Sequence, residues 1–227
     1  MKRLFDILFS FIGILLLQPF FIAVAILIKV DSKGPVFFRQ ERIGRNFKRF
    51  IIYKFRTMVV DAEKKGLGIT SGGDNRITRI GRMLRKFKID ELPQLYNVLK
   101  GDMSLVGPRP EVIKYVEWYK DDYERILSIR PGITDVSSMT FRNEESILQG
   151  VDNPESYYVH VLLPEKMRLG REYIQNVSFF YDVKLILKTL YKVVFPSAYS
   201  QKQTPSPQDN LSNGKGKAIY KDKISTI

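Results

Sequence analysis

The sequence contains no cysteine and a single histidine, His160. The first absence excludes disulfides, thiolate nucleophiles and cysteine-held zinc or iron–sulfur centres. The second excludes a multi-histidine metal site and leaves a Ser/His couple one residue to draw on. His160 stands among Tyr157, Tyr158, Val161 and Leu162 and reads as a packing residue. Any chemistry in this chain therefore rests on carboxylates, arginines and lysines. Acids are also in deficit, with 37 Lys and Arg against 24 Asp and Glu, for a formal charge of +13 over 227 residues. After Pro196 only five lysines stand against two aspartates, so most of the excess lies in the body of the chain. Such an excess suits an anionic partner: nucleic acid, an anionic lipid surface or a phosphorylated substrate.

Charge is missing altogether from Ile7 to Ile28, a run of roughly 22 positions, long enough to cross a bilayer. Ser10 and Gln18 are its only polar side chains, and an all-round apolar helix is hard to bury in a protein of this size. Pro19 falls mid-run, where it removes a helix hydrogen bond, so a kink or break is expected. Lys2 and Arg3 precede the run; Lys29, Lys33, Arg39, Arg42 and Arg45 follow it. Positive charge prefers the cytoplasmic side, so both ends ask for the same face. This favours a re-entrant helix that turns near Gln18-Pro19, with a straight span as the alternative. Lys2-Arg3 and Ala23-Val24-Ala25 mimic parts of a signal peptide, but the apolar stretch runs on through Ile28.

Beyond the run, Val36-Phe37-Phe38 and Phe50-Ile51-Ile52-Tyr53 predict a β-hairpin with Gly44 near its turn. Lys54-Phe55-Arg56-Thr57-Met58 is basic and aromatic and leads towards a charged helix around residues 61–65 and a loop over 66–75. Arg76, Arg79, Arg82 and Arg85 recur every three residues beside Ile77, Ile80 and Leu84, so a helix here carries an arginine row. That row is either a solvated face or a binder of anions. Two amphipathic helices are expected, over 111–128 and 178–194; the second has Ser178 as N-cap and Lys184, Lys188 and Lys192 on one flank, which suits an interfacial helix and a core-packing helix equally. Residues 197–227 are polar, rich in Pro and Gly and poor in aromatics, the composition of a disordered tail.

Asp90 and Glu91 open an apolar-periodic stretch. Helix capping would account for them, since Asp is a good N-cap and Glu is favoured in a first turn. Their neighbours suggest more. Adjacent acids can share a hard cation, and Mg²⁺ commonly uses one or two carboxylates plus substrate phosphate oxygens. Arg85, Lys86 and Lys88 supply the positive field that phosphates require. Downstream, Gly107-Pro108-Arg109-Pro110 holds Arg109 between residues of restricted backbone, ready to grip a phosphate or nucleotide. A membrane-tethered basic module for anionic lipid or nucleic acid fits the composition too. It leaves the acid pair unexplained, because acids within a basic surface weaken polyanion binding.

The run Asp90-Glu91-Leu92-Pro93-Gln94, followed by Lys100-Gly101-Asp102-Met103-Ser104 through Pro110, resembles the bacterial sugar transferase family, the small monotopic polyprenyl-phosphate phosphoglycosyl transferases. Arg39-Gln40-Glu41-Arg42-Ile43-Gly44, Lys54-Phe55-Arg56-Thr57-Met58 and Arg130-Pro131-Gly132-Ile133-Thr134 match further family motifs in the same order. The resemblance implies transfer of a sugar 1-phosphate from a nucleoside diphosphate sugar, usually a UDP-sugar, to polyprenyl phosphate, with release of UMP. Asp90 maps to the nucleophile that forms a phosphosugar intermediate, Glu91 to its partner in holding Mg²⁺, and Arg109 to the arginine that contacts the donor. Lys54, Arg56, Arg85, Lys88, Pro108 and Pro110 complete the expected binding set. Gln18-Pro19 stands where relatives often carry Ser-Pro, and Asp135-Val136-Ser137-Ser138 replaces a Gly-Trp continuation.

The expected protein is thus α+β and mainly helical. Residues 1–33 form a re-entrant membrane helix, residues 34–196 a catalytic domain with a small β-hairpin and amphipathic interfacial helices, and residues 197–227 a tail. The expected partners are a nucleotide sugar, polyprenyl phosphate and membrane lipids, with no nucleic acid. The expected place is the cytoplasmic face of a bacterial inner membrane.

Overall fold

The uncharged run folds within one long helix, α1 (Lys2–Asp31), in a computed structural model that describes residues 1–62, 70 and 72–195. The sequence predicted a kink or a break at Pro19; no break occurs, and the chain stays helical through it. Proline's fixed φ suits a helix, and the loss is one backbone hydrogen bond within an otherwise apolar run of helical residues. No turn separates two helices there. Among the described residues α1 is the one helix long and apolar enough to cross a membrane.

Both ends of α1 nevertheless rest on the same body. At its start, Lys2 Nζ donates to Val106 O (2.9 Å) and Tyr173 OH (2.9 Å) and pairs with Asp182, while Arg3 donates to Val98 O (2.6 Å) and Leu99 O (3.0 Å). Asp6, 3% exposed, accepts from Ser104 Oγ (2.9 Å) and Leu105 N (3.1 Å). Near its end, Val24 and Ile28 pack with Phe55 and Leu84, and Asp31 Oδ2 accepts from Ile80 N (3.0 Å). The opposite face is apolar and bare: Leu4, Leu8, Phe11, Leu15, Ile22 and Ile26 are exposed. A contiguous apolar surface of that kind marks contact with a membrane or a partner.

The predicted hairpin forms from β1 (Phe37–Ile43) and β2 (Arg49–Phe55), antiparallel with Phe37 opposite Phe55 and Ile43 opposite Arg49. Its turn is a single 3₁₀ turn, Arg45–Phe47, with Asn46 and Phe47 at positive φ. Next come α2 (Arg79–Lys86), α3 (Gln94–Lys100) and β3 (Ser104–Val106). Thr78 caps α2, its hydroxyl accepting from Gly81 N (3.0 Å). The predicted helix over 111–128 is two helices, α4 (Ile113–Trp118) and α5 (Lys120–Ile126), because Tyr119 leaves helical geometry (φ −137°, ψ 43°). Tyr115 and Val116 of α4 and Tyr123 and Ile126 of α5 all enter one core.

β4 (Gly132–Thr134) then runs parallel to β3, followed by α6 (Val136–Thr140), α7 (Glu144–Gln149), α8 (Pro154–Tyr157) and α9 (Leu163–Gln175). A π-helical turn, Tyr158–Leu162, joins α8 to α9 and absorbs Pro164, which sits in the first turn of α9. His160 lies in this turn, edge-on to Trp118, as a packing residue would. The last described helix is α10 (Phe179–Val194), capped as predicted by Ser178 Oγ, which accepts from Tyr181 N (3.2 Å). Its Phe180, Leu187, Leu190 and Val194 are exposed, whereas Lys192 turns inward and donates to Met139 O (3.0 Å). Residues 63–65 of the helix predicted around 61–65, half of the 66–75 loop and the 197–227 tail lie outside the described residues.

Candidate active site

After α2 the backbone of Lys88 takes the left-handed conformation (φ 56°) and turns the chain into a 3₁₀ turn, Ile89–Glu91. α3 begins only at Gln94, with Pro93 ahead of it and no side-chain cap. Neither acid therefore caps this helix, and the cheaper reading of the pair fails. Asp90 and Glu91 are instead buried side by side, each 8% exposed.

Their surroundings are unequal. Glu91 Oε1 accepts from Lys54 Nζ (2.9 Å) and Arg109 Nη2 (2.6 Å), and Oε2 from Arg109 Nη1 (3.3 Å). Asp90 Oδ1 is buried without a hydrogen-bond partner. Burial alone would raise the Glu91 carboxyl. The Arg109 and Lys54 charges and the Arg109 hydrogen bond outweigh it and hold the group well below the usual carboxylate range. For Asp90, burial and then the Glu91 charge push the carboxyl up, and Lys54, Lys88 and Arg85 offset only part of this. Burial also lowers the Lys54 ammonium, against the pull of Glu91.

Each partner is placed by backbone pairing. Lys54 lies on β2, whose edge is fastened to α3 by the fully buried Asn97: its Oδ1 accepts from Tyr53 N (3.1 Å) and its Nδ2 donates to Ile51 O (2.7 Å). Arg109 follows β3. There Gly107 N donates to Thr134 O (3.0 Å) and Gly132 N to Pro108 O (3.0 Å). The two strands approach so closely that a Cβ on Gly107 would stand 2.4 Å from Arg130 O, and one on Gly132 would stand 2.1 Å from Gly107 N. Only glycine fits at either position. Pro108 and Pro110 contribute through carbonyls, the second accepting from Arg42 (3.4 Å).

Of the other predicted residues, Arg85 donates to Thr57 Oγ1 (2.8 Å) and Glu145 Oε1 (2.7 Å), at the edge of the acid pair's field. Lys88 is exposed beside the pair. Arg56 is not brought to the site: its guanidinium donates to Ser32 O (2.9 Å) and Lys33 O (2.6 Å), carbonyls just past the end of α1. Gln18 and Pro19 occupy exposed positions of α1. The arginine row divides, with Arg76 bound to Asp74, Arg85 bound as above, and Arg79 and Arg82 exposed. Asp135 and Ser138 were not among the predicted site residues. Asp135 caps α6 and accepts from Ser138 Oγ (3.0 Å), and Arg109 Nη1 donates to that hydroxyl (3.4 Å). The signal available was the Asp-x-x-Ser spacing after Thr134, a helix-capping pattern.

A family profile described as bacterial sugar transferase matches residues 1–196, from α1 to the residue after α10's last described neighbour. The UDP-N-acetylgalactosamine-undecaprenyl-phosphate N-acetylgalactosaminephosphotransferase of Aeromonas hydrophila is 38% identical over 198 residues, 85% of this chain and 43% of that protein. The UDP-glucose:undecaprenyl-phosphate glucose-1-phosphate transferase of Escherichia coli (strain K12) is 33% identical over 85% of this chain and 40% of its own length. The uncharacterized sugar transferase EpsL of Bacillus subtilis (strain 168) is 35% identical over 88% of this chain and 91% of its own. The chain therefore spans about two fifths of the first two relatives and nearly all of the third. The match takes in α1, the hairpin, the acid pair and the strand pair that carries Arg109, and the chain belongs to the bacterial sugar transferase family.

Proposed function

We propose that this protein transfers a sugar 1-phosphate from a nucleoside diphosphate sugar, a UDP-sugar, to polyprenyl phosphate at the cytoplasmic face of the bacterial inner membrane, the first membrane step of glycan assembly. The observation that carries this reading is the inequality of the two buried acids: Glu91 is saturated by cations, and Asp90 keeps a buried oxygen without a partner. An unsatisfied carboxylate oxygen in a cationic setting is suited to attack phosphorus. In the first displacement an Asp90 oxygen bonds to the sugar-bearing phosphorus as the bond to the bridging oxygen breaks, and UMP leaves with that oxygen. In the second, a phosphate oxygen of the lipid attacks the same phosphorus and the Asp90 carboxylate is released. Arg109 and Lys54, oriented by Glu91, stabilise the charge that develops on the transferred group. Lys88 and Arg85 oppose the repulsion between carboxylate and diphosphate.

Mg²⁺ fits these residues in one particular way. Among the described residues no group of three acidic or histidine side chains is arranged to hold a metal ion. Asp90 Oδ1 is available, and Glu91 joins only by giving up a cation. The remaining ligands then come from substrate phosphates and water, the usual habit of this ion. When bound, Mg²⁺ supplies charge neutralisation at the diphosphate. The docking of both ends of α1 on one body, with its outer face apolar, supports insertion that enters and leaves on the same side. A basic binding module would leave two buried carboxylates without a purpose.

The test is a panel of UDP-sugars with the full chain in detergent, scored for UMP. Release is expected to require both polyprenyl phosphate and Mg²⁺. UMP formed at the same rate without the lipid would instead identify a hydrolase, and no release with any donor would remove the reading.

A further inference from the structure

The helix α3 carries two buried carboxamides whose surroundings differ. Asn97 is fully buried, and both ends of its amide are bonded to β2, through Tyr53 N and Ile51 O. Gln94, 2% exposed, has a side-chain nitrogen that is buried without a hydrogen-bond partner. Arg42 and Arg56 also leave a buried Nε unpaired, but each guanidinium is held by its outer nitrogens. The two displacements proposed above do not call on Gln94. A buried donor left without an acceptor costs free energy, and folded proteins keep few of them.

The position of Gln94 in the chain decides which acceptor it can meet. From Ile89 the backbone stays right-handed and helical through Leu92 (φ −57°, ψ −35°) and Pro93 (φ −60°, ψ −15°) into α3. Residues three and four apart on such a run are neighbours, so Gln94 stands between the acid pair on one side and Asn97 on the other. Glu91 and Asn97 both reach β2, one through Lys54 and the other through the strand backbone, so the row that holds Gln94 faces that strand. Two buried atoms without partners, an Asp90 oxygen and the Gln94 nitrogen, therefore belong to residues one helical turn apart and do not bond to each other. An oxygen on a phosphorus atom bonded to Asp90 stands further out than the carboxylate itself and brings an acceptor toward the amide.

We propose that Gln94 is a further catalytic residue: its Nε2 donates a hydrogen bond to a nonbridging oxygen of the transferred phosphoryl group while that group is bonded to Asp90. The assignment rests on the transferase reading and adds to it a contact that the resting site lacks. The hydrogen bond forms and breaks with the Asp90–phosphorus bond, and no proton changes hands. A neutral amide suits this place. Lys54 and Arg109 already pair with Glu91, and a further cation one turn from Asp90 would bond its free oxygen and occupy the nucleophile.

The test is Gln94→Met on the full chain in detergent, a substitution that keeps the length of the side chain and removes the donor. UMP release with polyprenyl phosphate is expected to fall by about 100-fold in kcat, with little change in donor KM. Single-turnover UMP formation, with enzyme in excess and no lipid, should slow to the same extent, because the contact is made as the Asp90–phosphorus bond forms. The unfolding midpoint in denaturant should stay the same or rise, since an unpaired buried donor is gone. A Gln94→Met enzyme with the wild-type kcat would overturn the proposal. So would a loss of activity accompanied by a lowered unfolding midpoint, which marks a packing role. The transferase reading is judged separately, on wild type. Release that ignores polyprenyl phosphate removes that reading and leaves the Gln94 contact to be read in the same kcat; no release with any donor removes both.

Discussion

Two acid clusters in this protein are buried to a similar depth and put to different use. At the start of α1, Asp6 accepts from Ser104 and Leu105, and Asp182 accepts from Tyr173 OH (2.6 Å) and pairs with Lys2, so all four carboxylate oxygens have partners. At the turn before α3, Glu91 is equally satisfied, but Asp90 Oδ1 is not. Burying a charge is tolerable when every lone pair finds a donor and costly when one does not. The first cluster is therefore a latch that fixes α1 to the domain. The second carries a cost in stability, which under the proposed function substrate and cation would offset.

The sharpest way to break the comparison is to neutralise one acid in each cluster. Asp90→Asn is expected to lower transferase activity per folded molecule by about 10³-fold or more, with an unfolding midpoint unchanged or raised. Asp182→Asn is expected to do the reverse, destabilising by about 2 kcal/mol because Lys2 loses its counter-charge and an amide NH2 replaces one of the two oxygens that accept from Lys2 and Tyr173, with near-normal activity per folded molecule. Ordinary activity in Asp90→Asn would end its assignment as nucleophile. Denaturant unfolding in detergent, paired with UMP release, reads both effects.

The next effect is smaller and depends on pH. With divalent cations chelated, Asp90 has a folded pKa above its unfolded value of about 3.9. Its contribution favours the native state below that value and is lost as pH rises through the folded pKa. The stability advantage of Asp90→Asn should therefore widen as pH rises above about 4 and level off once pH has passed the folded pKa. Glu91 runs the other way. Its folded pKa is depressed, so its contribution is present above about pH 4.3 and is lost only as pH falls through the folded value. Glu91→Gln should thus be destabilised at neutral pH and converge on wild type only in strong acid. Parallel pH profiles for the two variants would contradict the difference in pairing.

The smallest expected effect belongs to the latch. Ser104→Ala removes one of the two donors to Asp6 and should cost about 1 kcal/mol, measured as a shift in the unfolding midpoint without change in KM.

The parts that were legible in the sequence are those whose signals are local. The hairpin was readable from two β-rich runs around Gly44, α10 from Ser178 and its apolar period, and the acid pair with Arg109 from short motifs. What was not legible depends on distant partners. Lys2 was readable only as a flanking charge, because Asp182 lies 180 residues away. Arg56 sits in a basic-aromatic stretch that looks the same whether its guanidinium meets phosphates or the carbonyls after α1. The break at Tyr119 has no glycine or proline to announce it, and the apolar period of Tyr115, Val116, Tyr123 and Ile126 is that of one straight helix.

The glycine contact between β3 and β4 sets the order in which the protein can become competent. Arg109 is held in place by a strand that returns only after α4 and α5, with Ser104 N reaching Pro131 O (2.8 Å) and Gly107 N reaching Thr134 O. Closing that excursion costs chain entropy, which pairing must first repay. A nascent chain that has already made Asp90 and Glu91 therefore lacks the guanidinium that holds Glu91 until Gly132 has been synthesised and paired. The pairing of Glu91, and with it the contrast between the two acids, is thus tied to the completion of the fold around them.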